Sequence, residues 1–315
     1  MRNMLKPGLA LTALRCTVLV VLLFIGHQAV SSQDQYESQV LFTIPWGDEP
    51  GHLTLLWHEP LPPDFEGYYD APFPVSFSPT GGLAVVEYDG SLFRLIKFSP
   101  DGELIGDIDL ESVGVREYPG DSCVAIGGEV MLVGGDFACV LAADLSPIEV
   151  TTLPWRGSYV GGIWPSATGG FWVVYDSPSW VSAQSGEYEM ERMVVEYSLE
   201  NGFADPTILF HGTREDPERF LYYFVTPDGT VTEDIQDMYG YSYMRRPGDQ
   251  CSQLVKMAPN GQQIYANQLV DDPSWEGFVE ADVTHNYFID WSGDFYTLHA
   301  TGDGAVLTKY TLVAE

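Results

Sequence analysis

Residues 71–110 read APFPVSFSPTGG, LAVVEYDG, SLFRLIKFSPDG and ELIGDIDL in succession. Four short apolar runs, Val75 to Phe77, Leu83 to Tyr88, Leu92 to Phe98 and Glu103 to Leu110, are divided by three glycine turns. Each run is rich in Val, Ile, Leu, Phe and Tyr and has the length of a β-strand. The charges of Arg94 and Lys97 interrupt the third run, as in a strand with one face packed and the other partly wet. Ser99-Pro100-Asp101-Gly102 is a turn with a mechanism: Pro100 pre-sets φ, Asp101 suits the second central position, and Gly102 takes the left-handed conformation that enters the next strand. A lone four-stranded meander cannot bury both of its faces, whereas copies stacked around an axis can.

Weaker copies follow. A second set runs Cys123–Ile126, Val130–Val133, Ala138–Leu141 and Ile148–Thr151; a third runs Gly162–Trp164, Phe171–Tyr175, Arg192–Tyr197 and Thr207–Phe210. A fourth has Leu221–Val225, Leu254–Met257 and Gln263–Leu269, with turns at Thr226-Pro227-Asp228-Gly229 and Ala258-Pro259-Asn260-Gly261. A fifth has Tyr287–Trp291, Phe295–His299 and Val306–Val313. The turns before the fourth strands recur at roughly 45 to 60 residues, the spacing of propeller blades. The pattern predicts an all-β chain, a β-propeller of five or six four-stranded blades; a β-sandwich or an all-β solenoid is the competing architecture. The final run matches a third strand and has no fourth after it. Gln39–Ile44 resembles a fourth strand and has no blade of its own. The ring is therefore expected to be closed by an N-terminal strand pairing with the C-terminal blade, which would cover an open edge.

Ile44-Pro45-Trp46-Gly47-Asp48-Glu49-Pro50-Gly51, Phe77-Ser78-Pro79-Thr80-Gly81-Gly82 and Arg94–Gly102 resemble secreted bacterial propellers of the NHL-repeat type, from about residue 40 to 110. The resemblance implies a propeller, often six-bladed. It implies no activity, because such propellers serve as binding modules, as structural units and on occasion as lyases or lactonases.

Residues 1–31 read as a signal peptide: Arg2, Lys6 and Arg15 precede an apolar run from Cys16 to Gly26, and Ala29-Val30-Ser31 supplies small residues for cleavage. The run is short for a membrane-spanning helix, and retention as an uncleaved anchor is the second reading. Residues 32–315 are expected to form a single propeller domain, secreted, periplasmic or on the cell surface. All 45 acidic residues lie after residue 31, in a chain of net charge −31. Such a surface repels nucleic acid and anionic membrane. It keeps the protein soluble, with cation binding as the sharper alternative. A monomer is expected.

No serine-hydrolase elbow, phosphate loop, calcium loop or pair of histidines at metal-ligand spacing occurs. The expectation is a module that binds a protein, carbohydrate or small molecule, without a cofactor. The alternative is a metal-dependent lactonase or lyase using a divalent cation in the central channel. Candidate binding residues are few. Arg245 and Arg246 are the adjacent cations of the acidic region and follow Tyr239-Gly240-Tyr241-Ser242-Tyr243; an arginine pair beside tyrosines suits an anionic or sugar ligand. An internal ion pair is their structural reading. Trp180 falls in an insertion expected from Asp176 to Glu191, and suits an exposed platform. His285 lies in Glu280-Ala281-Asp282-Val283-Thr284-His285-Asn286, where an innermost strand should begin. The other tryptophans, Trp291 among them, are assigned to packing between blades. Cys123 and Cys139 are placed on the first and third strands of one blade, about 9.6 Å apart, which is beyond the reach of a disulfide.

Overall fold

The structure, a computed structural model, describes residues 35–54, 56–58, 68–70, 74–88, 92–135, 137–153, 159–179, 189–213, 224–232, 234–247, 252–268, 287–301 and 303–313. Two units separate, residues 37–311 and residues 1–36 with 312–315. The larger carries the propeller; of the smaller, the described residues are the ends of two strands.

The described chain opens with β1 (Gln35–Pro45) and a hairpin of β2 (Leu56–His58) and β3 (Tyr68–Asp70). The first blade is β4 (Val75–Ser78), β5 (Gly82–Tyr88), β6 (Phe93–Phe98) and β7 (Leu104–Asp109), antiparallel neighbours in that order. A single 3-10 turn at Leu110–Val113, capped by the Asp109 carboxylate, leads into the second blade. That blade is β8 (Asp121–Val124), β9 (Val130–Val133), β10 (Phe137–Leu141) and β11 (Pro147–Thr152). The third is β12 (Tyr159–Pro165), β13 (Phe171–Ser179) and β14 (Glu189–Ser198), with β15 (Gly202–Phe203) and β16 (Thr207–Thr213) both paired to β14. A small hairpin follows, β17 (Phe224–Val225) and β18 (Val231–Thr232). The fourth blade is β19 (Ile235–Gln236), β20 (Ser242–Pro247), β21 (Ser252–Met257) and β22 (Gln263–Gln268). The fifth is β23 (Tyr287–Ile289), β24 (Phe295–Thr301) and β25 (Gly304–Val313), with β1 hydrogen-bonded to β25 in the fourth place.

The blades are thus five, and the innermost strands lie side by side from β4 to β8 to β12. Next in the row is β17, between β12 and β19. Among the described residues, the β17–β18 hairpin therefore occupies an inner position of its own, with two strands where a blade has four. This corrects the sequence reading, which gave Leu221–Val225 to the fourth blade. The Thr226–Gly229 turn returns the chain at once into Val231–Thr232, and a second turn, Asp237-Met238-Tyr239-Gly240, opens the real fourth blade. The insertion expected from Asp176 to Glu191 is also shorter, because β13 and β14 stay paired out to Ser179 and Glu189.

The first three blades are apolar on both faces, and the second strand of the first is buried at all but its last residue. Along β5, alternate residues face opposite neighbours. Leu83 and Val85 pack with Tyr296, Leu298 and Leu307 of the fifth blade, while Ala84 and Val86 pack with Val130, Leu132 and Leu141 of the second. The second and third blades share Met131, Val140, Phe171, Val173, Val195 and Tyr197 in the same way. Burying one such aliphatic side chain contributes about 2 kcal/mol. Cys123 on β8 and Cys139 on β10 are buried free thiols facing different seams, with β9 between them.

Several polar side chains within these seams are held by specific partners. Glu87, buried on β5, accepts from the Thr54 backbone N–H (2.9 Å) and pairs with Arg94 of β6; Arg94 also donates to the His52 carbonyl (2.8 Å) and meets Asp107 of β7 (3.4 Å). The 46–54 loop is thereby fastened to the first blade. Beyond residue 31 the chain has three lysines, Lys97, Lys256 and Lys309. All three occupy one register position on the third strand of their blades, opposite Ala84, Tyr243 and Tyr296. Lys97 is buried between the first two blades, and its ammonium donates to the carbonyls of Gly128 and Ala143. Desolvation lowers its pKa, against the pull of Glu129 and Asp144. Lys309 is partly exposed and pairs with Asp294.

Replacing Lys97 with Met should therefore cost about 3 kcal/mol, the scale of buried hydrogen bonds to a charged group. Lys309→Met should cost under about 1 kcal/mol, as for a partly exposed pair. Urea unfolding of the two variants beside the unaltered protein measures the contrast, and equal losses would count against a seam role for Lys97.

Candidate functional site

The turns joining first to second strands form one rim of the propeller. All but the turn that begins at Ala125 share a plan: a residue with a side-chain oxygen, two tip residues, then glycine. Ser166, Thr226, Asp237 and Asp290 each accept, through their carbonyl, the N–H of a glycine three residues on, at 2.8–3.1 Å. Those glycines, 169, 229, 240 and 293, all have positive φ. Gly293 is required for space as well, since a Cβ there would sit 2.6 Å from Asp237 Oδ2 and 2.8 Å from the Tyr243 hydroxyl. Neighbouring turns are joined to each other. Thr80 Oγ1 donates to the Ile126 carbonyl (3.0 Å), Ala167 N–H to that of Pro227 (2.8 Å), and Met238 N–H to that of Trp291 (2.9 Å).

The tips differ in a way that turn chemistry does not explain. They are Pro79-Thr80, Ile126-Gly127, Ala167-Thr168 and Pro227-Asp228 around most of the rim, but Met238-Tyr239 and Trp291-Ser292 on the fourth and fifth blades. Turn tips favour Pro, Gly, Asn, Asp and Ser. Met238, Tyr239 and Trp291 are nevertheless 53%, 61% and 39% exposed. They project from two turns that are hydrogen-bonded to each other, so they belong to one patch, flanked by the exposed, uncharged Ser292 and Pro259.

The base under this patch is rigid. Asp237 is buried; its Oδ1 accepts the N–H groups of Tyr239 (2.9 Å) and Tyr241 (3.1 Å), and its Oδ2 accepts the Tyr243 hydroxyl (2.7 Å). The Lys256 ammonium stands 3.7 Å from Oδ2, and 4.5 and 5.1 Å from the ring centroids of Tyr241 and Tyr243. The Tyr243 hydroxyl also lies 3.3 Å from the Gly293 carbonyl of the next blade. A turn held at both ends presents its tip side chains in one place, which lowers the entropy lost on binding.

Of the residues singled out in the sequence, Arg245 and Arg246 are consecutive positions of β20, paired with Leu254 and Gln253 of β21. The tyrosine run divides by role: Tyr239 is exposed at the tip, Tyr243 is buried in the seam, and Tyr241 lies under Lys256. Trp180 and His285 lie outside the described residues. Among the described residues, no group of three or more His, Cys, Asp or Glu is placed to hold a metal ion. None of the described helices is long and apolar enough to cross a membrane. Sequence reasoning missed Met238 and Trp291. The available signal was the recurring turn plan, which makes a large apolar residue at the tip conspicuous.

A second polar feature sits on the innermost strands. Ser122 Oγ donates to Ser76 Oγ at 3.1 Å, joining β8 to β4. Asp121, at the start of β8, has its carboxylate withdrawn from water, which pushes its pKa up to about 7. The N–H groups of Ser122 and Ile163, which favour the ionised form, only partly oppose this. Asp121 is thus a joint between the second and third blades.

No family model matches the chain, and no curated protein matches it. Among solved structures it is similar to the WD40 domain of SCAP from fission yeast, at 10% identity over 75% of this chain and 46% of that one, with a TM-score of 0.31. The extracellular domain of a one-component system from B. thetaiotaomicron matches at 11% identity, over 88% and 40% of the two chains, with a TM-score of 0.28. The tricorn protease matches at 10% identity, over 81% and 31%, with a TM-score of 0.21. The chain spans less than half the length of each of these proteins.

The Asp121 joint has a pH signature. Its folded pKa lies above the ordinary 3.8, so between about pH 4 and pH 7 the folded state keeps a proton that the unfolded chain has released. Its contribution to stability is full below about pH 4 and is lost as pH rises through about 7. The stability of Asp121→Asn relative to the unaltered protein should rise across that window by up to about 1.4 kcal/mol per pH unit. Thermal melts of both proteins from acid to neutral pH would show it, and a constant difference would refute it.

Proposed function

We propose that this propeller is an exported binding or scaffold module, of the NHL-like kind, which engages a protein or carbohydrate partner through the rim of its fourth and fifth blades. The observation that carries the reading is the patch of Met238, Tyr239 and Trp291. Of the other tips Ile126 alone is large and apolar, and exposed aromatic side chains on a rigid base are characteristic of binding hot spots. Export rests on the leader at residues 1–31, and a soluble monomer on the acidic charge. No cofactor is required for this function. The competing reading is a metal-dependent lactonase or lyase whose site lies in the channel.

The test screens the purified protein against glycan and protein arrays, together with the triple variant Met238→Ser, Tyr239→Ser, Trp291→Ser. Partners of the unaltered protein should be weakened about tenfold or more by the triple variant, the effect of losing hot-spot side chains, while its melting temperature stays within a few degrees. Partners that bind both proteins alike would overturn the rim assignment. Stoichiometric, tightly held metal with turnover lost on chelation would establish the enzyme instead.

A further inference from the structure

Three turns meet at the rim patch. Asp237-Met238-Tyr239-Gly240 and Asp290-Trp291-Ser292-Gly293 are joined through the Met238 N–H and the Trp291 carbonyl. The third is Ala258-Pro259-Asn260-Gly261, between β21 and β22; a Cβ added at Gly240 would lie 3.5 Å from Pro259 Cγ. The equivalent turns of the first three blades carry exposed acids, Asp101, Asp144 and Glu200. In the fourth the tip is Pro259-Asn260, and Gly261 and Gln262 after it are exposed and uncharged.

The carboxylates of these turns are engaged within the fold. Asp237 is taken up by Tyr239, Tyr241 and Tyr243. Asp290 accepts the Ser292 hydroxyl (2.6 Å) and the Asp294 N–H (2.9 Å) on Oδ1, and the Tyr296 hydroxyl (3.0 Å) on Oδ2. Asp294 is paired with Lys309. A chain of net charge −31 thus presents neutral side chains at these tips. Among the described residues, Tyr239 and Trp291 meet no other aromatic ring, and the Tyr239 hydroxyl and the Trp291 indole N–H have no hydrogen-bond partner. Asn260 accepts the Gln262 N–H on its amide oxygen (2.9 Å) and keeps its two amide donors for a ligand.

Exposed rings with amide and hydroxyl groups beside them complement a pyranose whose hydroxyls are equatorial. Such a sugar has apolar C–H faces, which settle on the negative face of an aromatic ring. Its perimeter of hydroxyls both donates and accepts. The dimensions suit a protein less well. A standard protein interface takes about 20–30 residues a side, whereas the neutral tips come from three short turns, and the neighbouring tip Pro227-Asp228 already carries an exposed carboxylate. Resting on the rim assignment, we propose that the patch binds a neutral polysaccharide of equatorial pyranose rings, of the β-1,4-glucan or xylan type. Tyr239 and Trp291 each lie against one sugar ring, and Asn260 donates to hydroxyls at the edge. The surrounding acidic charge repels polysaccharides that carry carboxylates or sulfates.

Calorimetric titration of the purified protein with cellohexaose and with xylohexaose tests this, beside cellohexaose oxidised to the carboxylate at C6, which keeps the ring geometry and adds charge. At least one neutral hexamer should bind, and the oxidised one should bind about tenfold more weakly or not at all. Raising salt to about 0.5 M should change the neutral affinity by less than about twofold, since no charge pairs are screened. The double variant Tyr239→Ala, Trp291→Ala should lose about tenfold or more, the effect of two ring contacts. Tyr239→Phe, which keeps the ring, should stay within about threefold, and Asn260→Asp, which keeps the turn's acceptor but removes the donors, should lose about threefold. The proposal is overturned if neither neutral hexamer binds at millimolar concentration. It is equally overturned if the oxidised hexamer binds as well as the neutral one, or if the double variant, folded by its melting curve, binds like the unaltered protein. The rim assignment stands or falls separately: a protein partner on the arrays that the rim triple variant loses would keep the rim as the binding face and refute the sugar.

Discussion

A four-stranded sheet that is apolar on both faces cannot stand in water, and this constraint governs the whole molecule. Leu83 and Ala84 are adjacent in sequence and bury into different seams, one toward the fifth blade and one toward the second. The same alternation sends Cys123 and Val124 to opposite sides of the second blade. The first and second blades each complete the core of both their neighbours, so their stability is shared across the seams and does not belong to any one repeat.

Most polar groups that enter the seams meet partners, the buried Thr308 hydroxyl being an exception. Lys97 caps two carbonyls across the first seam, Asp237 ties its own turn to Tyr243 and Lys256, and Glu87 anchors the 46–54 loop with Arg94. The shared register of the three lysines explains their scarcity in an acidic protein: each has a structural station on a third strand. The surface is left anionic, and against that background the uncharged rim patch stands out; its side chains are exposed at turn tips, which is why it is read as functional.

The first three blades were legible in sequence because their strands are long and their turns carry Pro, Asp or paired glycine. The fourth was misassigned at its start. Ile235–Gln236 is too short to show periodicity, and Asp237-Met238-Tyr239-Gly240 lacks the small residues that announce a turn. The same replacement hid the candidate site, since Trp291 read as packing and Met238 as nothing. The arginine pair belongs to strand β20, and the exposed ring nearby is Tyr239.

The seam between the fifth and first blades puts the constraint to its sharpest test, because it includes Ile44 at the end of β1, and Trp46 just beyond it donates to the Thr301 carbonyl at 2.8 Å. The direct measurement is thermal unfolding of protein beginning at residue 47 beside protein beginning at residue 32. A ring held by all of its seams predicts that losing this one strand lowers the melting temperature of the entire domain, on the order of 10 °C or more for several kcal/mol lost. Identical melting of the two proteins would show that β1 closes nothing and that the blades stand without a complete ring.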